Sequence, residues 1–289
     1  MKKTLGERIY NLINVIVLTL AIVVCVYPLL YILFASMSDY TLLSTHRGLI
    51  FSPMGFDLEA YKAVLSDRKI LTGYRNTLFI LIVGVAINIF MTSVCAYFLS
   101  RNNIPLQKAI SKLIIFTMYF SGGLIPSYLL IQNLGLFDTI WALILPNCMN
   151  VFNMLVMRSY FINLPNALEE AGKIDGAGHM TILFKIFIPI SLPVVAVMVL
   201  YYGVAYWNSW FSAMIYIRNE SLYPLQLILR DIIVQNKVAD MIPGGADKVQ
   251  ISQTIKYATI IVSTVPIMLI YPFLQKYFVG GLTIGAVKG

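Results

Sequence analysis

NALEEAGKIDGAGHMTILFKIFIP, residues 166–189, is the stretch whose reading decides the rest of the chain. It is the longest polar break between apolar segments in the middle of the sequence, yet it is not composed like a loop. Pro165 stands where a first helical residue would, and Asn166 and Glu169 have the spacing of an N-terminal capping pair. Glu169 and Glu170 fall in the first turn, where acidic side chains suit the helix dipole. Leu168, Ala171 and Ile174 recur every three residues and predict a narrow apolar ridge. Gly176 and Gly178 predict where the helix ends, because glycine tolerates a left-handed cap. The expectation is a short amphipathic helix over 165–175, inside a loop 163–183 that joins two membrane segments. Such a helix sits at a membrane face and offers its ridge to something. An interfacial helix that merely joins two spans has the same shape.

Working outward, the chain has 289 residues, 59% of them hydrophobic and only 12% charged. A soluble domain cannot hide that much apolar surface and still present a charged exterior, so an integral membrane protein is expected. Cys25, Cys95 and Cys148 lie far apart in apolar segments and read as small core residues, not as a disulfide frame or metal site. With only His46 and His179, no histidine-rich metal or proton-relay cluster is available. MKKTLGER resembles a signal n-region, but the apolar run behind it is too long and lacks a small-residue cleavage site, so it reads as a retained first span.

Apolar runs predict spans at about 12–34, 73–99, 113–131, 141–161, 185–207 and 257–278, giving one transmembrane domain over 1–289. The expected fold is an all-α membrane protein with six transmembrane helices. Pro28 falls near the outer end of the first, and Gly122, Gly123 and Pro126 interrupt the third. Gly84, Gly122, Gly123 and Gly203 would each allow either a close helix approach or a bend. Residues 211–256 read as a long polar segment with amphipathic pieces. With both termini cytoplasmic, the inner pieces carry eleven Lys/Arg against four acids, net +7, and the outer pieces net +1. The basic balance is therefore explained by topology, and no basic-aromatic pattern suggests nucleic acid.

The central stretch resembles the EAA loop of ABC-importer permeases: Glu170, Ala171, Gly176, Ile186 and Pro189 match at the right spacings. Gly172 stands for the second Ala and Ile188 for Leu; Gly172 is expected to loosen the helix by up to about 1 kcal/mol relative to Ala. Asp175-Gly176-Ala177 matches the form found in sugar permeases. WNSWFSAMIYI, from Trp207, and the ending GGLTIGAVKG also resemble the maltose-type permease family. This likeness spans most of the second half and rests on span layout alone in the first. It implies the permease subunit of a bacterial carbohydrate importer in the cytoplasmic membrane. It further implies a second, similar permease, two ATPase subunits that hold ATP and Mg, and an extracytoplasmic sugar-binding protein. The helix at 165–175 would be the cytoplasmic coupling helix, docked in an ATPase cleft through Leu168, Glu169, Glu170, Ala171, Ile174, Asp175 and Gly176.

The chain contains no GxxxxGK(S/T) phosphate loop, so a pump built on it takes its energy from a partner. Glu169 and Glu170, about 100° apart on a helix, are poorly placed for shared acid–base work, and no catalytic constellation or cofactor site is expected. Polar residues inside spans, notably Asn76, Asn88 and Tyr97, are candidates for the substrate path, with helix–helix hydrogen bonding as the alternative. So are Tyr206, Trp207, Asn208 and Trp210, whose aromatic faces could stack on sugar rings and whose amide could bond hydroxyls. An interfacial aromatic belt is the alternative for these. Arg and Lys are plentiful in the outer pieces and point to an acidic oligosaccharide, although acids there almost balance them. A self-contained ion-coupled transporter would bury charges at mid-membrane, whereas here the charges stay near span ends. A membrane-embedded enzyme would need catalytic acids or metal ligands within spans, and none is found.

Overall fold

The computed structural model describes residues 4–101, 106–234, 253–270 and 272. The expected tail over 280–289, most of the connector at 101–112 before Leu106, and the polar segment 235–252 lie outside the described residues. Among those described, one isolated bridge, Ser38 to Phe56, is the sole extended pairing, and the rest is helix and connections. Contacts divide the chain into two compact units, residues 1–68 with 229–265, and 69–228 with 266–289.

In the first unit, helix α1, Leu5–Ser36, is 32 residues long. At about 1.5 Å per residue it exceeds a hydrocarbon core of ~30 Å. Thr4 and Glu7 close its N-terminus reciprocally, and Pro28 lies within it. Its sides are exposed except at the end, where Ala35 joins Leu43 and Ile50 in a small apolar cluster with Tyr31, Phe34 and Tyr257. Asp39 caps α2, Tyr40–Thr45, through the amides of Thr41 and Leu42. Ser36 bonds the hydroxyl of Tyr61 on α3, Glu59–Ser66, at 2.7 Å.

The second unit is built on α4, Arg68–Ser100, 33 residues long. Helices α5, Gln107–Tyr119, and α6, Leu124–Asn133, cover the predicted third span but meet at 114°. Gly123, at φ +91°, supplies a backbone turn that side chains resist. The predicted fourth span is likewise broken. Helix α7, Trp141–Ile144, runs into a 3-10 turn at Leu145–Asn147, and α8, Val151–Ile162, starts afresh. Pro146 has no amide to extend the first helix, and Asn150 caps the second by accepting from the Asn153 amide at 3.1 Å.

The surface helix α9, Asn166–Ile174, follows. Its successor begins earlier than the predicted residue 185. Helix α10, His179–Ile182, passes through a π-turn, Leu183–Phe187, into α11, Ile188–Ile190. The chain then turns by 89° at Ser191 into α12, Leu192–Trp207. Pro189 and Pro193 flank that corner, and Pro193 lacks the amide that would bond across it to residue 189. The polar segment after it carries α13, Phe211–Tyr216, and α14, Leu225–Val234, whose Leu225, Leu227 and Ile228 are buried. α14 lies close on α4: a Cβ on Gly73 would stand 2.6 Å from Ile228 Cδ1. Helix α15, Gln253–Ile270, closes the described chain. Among the described residues, three helices (α1, α4 and α15) are long and apolar enough to cross a membrane, and counting each bent pair as one span raises the number to five.

Candidate functional site

α9 forms where the sequence predicts it, with different ends and different faces. Pro165 occupies the cap position and Asn166 the first helical one, and no side chain caps the N-terminus. Glu169 does not reach back to Asn166, because it is turned inward onto a cation. The C-terminus closes as a Schellman motif: the Ala177 amide donates to the Gly172 carbonyl at 2.9 Å and the Gly176 amide to the Lys173 carbonyl at 3.0 Å. Gly176, at φ +77°, is the residue that permits it, while Gly178 has φ −72° and simply precedes α10.

The ridge of three is corrected as well. Steps of three residues fall about 60° short of a turn, so Leu168 and Ile174 diverge around the helix. Leu168 is half-buried, whereas Ala167, Glu170, Ala171 and Ile174, spaced i, i+3, i+4 and i+7, make one exposed stripe. Ile174 is 85% exposed, and Asp175 lies in the open beside it. The opposite face is fixed to the second unit. A Cβ on Gly172 would meet Ile186 Cδ1 at 3.0 Å and Ile182 Cγ1 at 3.1 Å, so glycine here allows the helix to lie close on α10 and its extension.

Beside Gly172, Glu169 Oε2 accepts from Arg101 Nη1 at 2.6 Å, with the two side chains only 11% and 8% exposed. Its other oxygen lies 2.7 Å from Lys173 Nζ. Arg101 comes from the end of α4. Its Nη2 donates to the Phe161 carbonyl at 3.0 Å and its Nε to Ser100 Oγ at 2.9 Å. The guanidinium lies over the rings of Phe187 and Tyr97, at 4.9 and 5.5 Å from their centroids. Burial pushes the Glu169 carboxyl up, but hydrogen bonds from Lys173 and Arg101 outweigh it and hold the group below its ordinary value. Arg158 and Gln107 donate to the Leu99 carbonyl at 2.8 and 2.7 Å, satisfying the C-terminus of α4. Sequence reasoning counted Arg101 and Arg158 only as topological charges. An arginine directly behind an unbroken apolar helix, with a tyrosine four residues earlier, was the available signal.

The candidate substrate-path residues separate. Asn88, Tyr206, Asn208 and Trp210 line one cavity of about 310 Å³ together with apolar Met149, Ala205 and Phe211, and Tyr206 donates to Asn88 Oδ1 at 3.1 Å. A Cβ on Gly84 would stand 2.6 Å from the Tyr206 ring, so of the two roles open to this glycine it serves close approach. Asn76 lies elsewhere and donates to the carbonyls of Ser221 and Tyr223 at 2.8 and 3.1 Å, tying down the chain before α14. Tyr97 belongs to the Arg101 cluster, edge-on to Phe187 and 3.3 Å from His179 Nδ1. Trp207 is buried against Tyr74. Among the described residues, no three His, Cys, Asp or Glu side chains gather as a metal site.

No family model matches the chain. It is 37% identical over 285 residues to the polygalacturonan/rhamnogalacturonan transport system permease protein YtcP of Bacillus subtilis (strain 168), covering 98% of this chain and 99% of the relative. It is 38% identical over 293 residues to protein LplC of the same organism, covering 100% and 98%. A solved structure of a bacterial ABC transporter involved in the import of the acidic polysaccharide alginate superposes with a TM-score of 0.89 at 32% identity, covering 96% of this chain and 99% of that one. Full-length likeness of this degree, joined to continuous and bent apolar helices, identifies a multi-pass membrane protein that belongs to the permease family of sugar ABC transport systems.

Proposed function

We propose that this chain forms part of the path through which an oligosaccharide or related sugar is imported across a bacterial cytoplasmic membrane. In this reading, ATP hydrolysis on separate subunits drives transport through α9. The single observation that carries it is the asymmetry of α9. One face is held to the second unit by the Arg101–Glu169 pair and the Gly172 contact, while the other presents Ala167, Glu170, Ala171 and Ile174 to the outside. An isoleucine 85% exposed beside a carboxylate is a surface for a protein cleft, and a helix fixed on its other side transmits a push to α4 and α10 as one body. The assembly would contain a second permease, two ATPase subunits that bind ATP and Mg, and an extracytoplasmic sugar-binding protein. Both termini and α9 would face the cytoplasm.

The test reconstitutes the complex with a photo-reactive residue in place of Ile174. The expected result is an adduct with the ATPase subunit; an adduct with lipid alone overturns the docking and leaves α9 as an interfacial joiner. Glu170→Ala is expected to leave insertion intact while ATP hydrolysis ceases to drive uptake. Uptake by the chain without any ATPase would instead favour ion-coupled transport.

A further inference from the structure

Where α5 starts beside the end of α8, the chain gathers cations and no acid to neutralise them. Arg158, one turn before the end of α8, is partly buried and donates Nε to the Leu99 carbonyl at 2.8 Å. Gln107, the first residue of α5, donates to the same oxygen at 2.7 Å, so Arg158 lies against the start of that helix. Lys108 and Lys112 follow on α5 at i and i+4, neighbours on its surface and both exposed. Among the described residues neither lysine forms an ion pair, and Arg158 Nη1 and Nη2 bond nothing. Neither α5 nor α8 contains an acid, and the buried carboxylate by the end of α8, that of Glu169, is already taken by Arg101 and Lys173. A partly buried guanidinium with its outer fork unused calls for an anion with several acceptor oxygens. Past the lysines, α5 is apolar and open. Leu113 is 64% exposed, Phe116 56% and Phe120 65%, and the rings of Phe116 and Phe120 stack at 5.3 Å. Lys112, Phe116 and Phe120 fall at i, i+4 and i+8, so one stripe of surface has a cation at one end and rings along the rest.

We infer that this stripe holds one anionic phospholipid, whose phosphate oxygens accept from the Arg158 fork, Lys108 and Lys112 and whose acyl chain lies along Leu113, Phe116 and Phe120. Charge complementarity and the apolar run together select the occupant. A free phosphate would satisfy the cations and leave the rings uncovered. A zwitterionic lipid would cover the rings and bring a further cation to a site already crowded with them. The site needs only a bilayer around α5, whichever side α9 faces, and so goes beyond the import reading.

The test strips the full-length chain of lipid in detergent and titrates it with acyl-matched phosphatidylglycerol or phosphatidylcholine, counting bound lipid by native mass spectrometry. Phosphatidylglycerol is expected to bind more tightly by about ten-fold or more. Lys112→Gln is expected to weaken its binding by about five-fold, the weight of one cation beside an anionic head group. Arg158→Gln places an amide nitrogen where Nε stands, keeps a donor for the Leu99 carbonyl, and is expected to weaken binding at least as much. Arg75→Gln removes the same charge near the other end of α4 and is expected to change nothing. Excess inorganic phosphate, against a matched chloride control, is expected to leave the lipid in place. Equal binding of the two lipids, an unaltered affinity in Lys112→Gln, a smaller loss in Arg158→Gln than in Lys112→Gln, or an equal loss in Arg75→Gln each overturns the proposal. Displacement by phosphate marks a site for a soluble anion, and loss of the lipid when the chain assembles with other subunits marks a protein interface; either overturns it as well. Failure of the assembled complex to take up any sugar would sink the importer reading and leave these lipid affinities standing.

Discussion

Replacing Arg101 by alanine removes one side chain and four interactions. These are the bond to Glu169 Oε2, the bond to the Phe161 carbonyl, the bond to Ser100, and the stacking between Tyr97 and Phe187. Breaking a buried ion pair by deleting one partner costs about 3–5 kcal/mol, mainly because the other charge stays buried. Lys173 remains within 2.7 Å of the second carboxylate oxygen and is half-exposed, so the lower end, about 3 kcal/mol, is the expected cost. Lys173→Ala deletes an exposed i,i+4 partner and is expected to cost only about 0.3–0.5 kcal/mol. The size of the effect thus separates the interior cation from the surface one.

The readout is hydrogen exchange at the amides of 166–174 in the purified chain. A loss of about 3 kcal/mol lowers protection there by roughly a hundred-fold. The control is the double replacement Arg101→Met with Glu169→Leu, which removes both charges and keeps the volume apolar. Its exchange is expected to return to within about 1 kcal/mol of the unaltered chain, because apolar substitutes for a buried pair are often neutral or better. Unchanged protection in Arg101→Ala, or a double replacement no better than the single one, would refute the claim that the pair fastens α9 to the end of α4.

Gly176→Ala meets no neighbouring atom, so its expected cost of about 1–2 kcal/mol is purely that of φ +77°; Gly176→Asn should cost less, and melting of both variants checks the order. Gly84→Ala drives a Cβ into the Tyr206 ring, displaces the Tyr206–Asn88 bond and is expected to cost about 1–3 kcal/mol, seen as a lower melting temperature of the purified chain. The Glu169 carboxyl, held below the ordinary 4.5, contributes stability at every pH above that value and loses it as pH falls through the lower folded one. The difference in melting between the unaltered chain and Glu169→Gln is therefore expected to be flat above about pH 5.5 and to shrink below 4.5, and a difference that grows on acidification would contradict the assignment.

What the sequence discloses about α9 is what lies within a helical turn of itself. Pro165, the acidic first turn and Gly176 act through neighbours three to six residues away, and a short helix with a glycine exit is legible from them. The partner of Glu169 is 68 residues away, and nothing in either local pattern names the other. The capping spacing drew Glu169 toward Asn166 because sequence offers only local partners. The same limit separates Asn76 from Asn88, two asparagines on one helix. One is consumed by the carbonyls before α14 and the other borders a cavity, a difference made by elements more than fifty residues distant. Glycine and proline announce that the third span breaks, but the fifth reads as one run from 185 to 207, and neither the 114° nor the 89° corner is legible from composition. Gly172 reverses the inference from propensity. As an isolated helix residue it is a weakness, but between Ile182 and Ile186 it is the one residue that lets α9 lie flush, and that fit puts Glu169 within reach of Arg101.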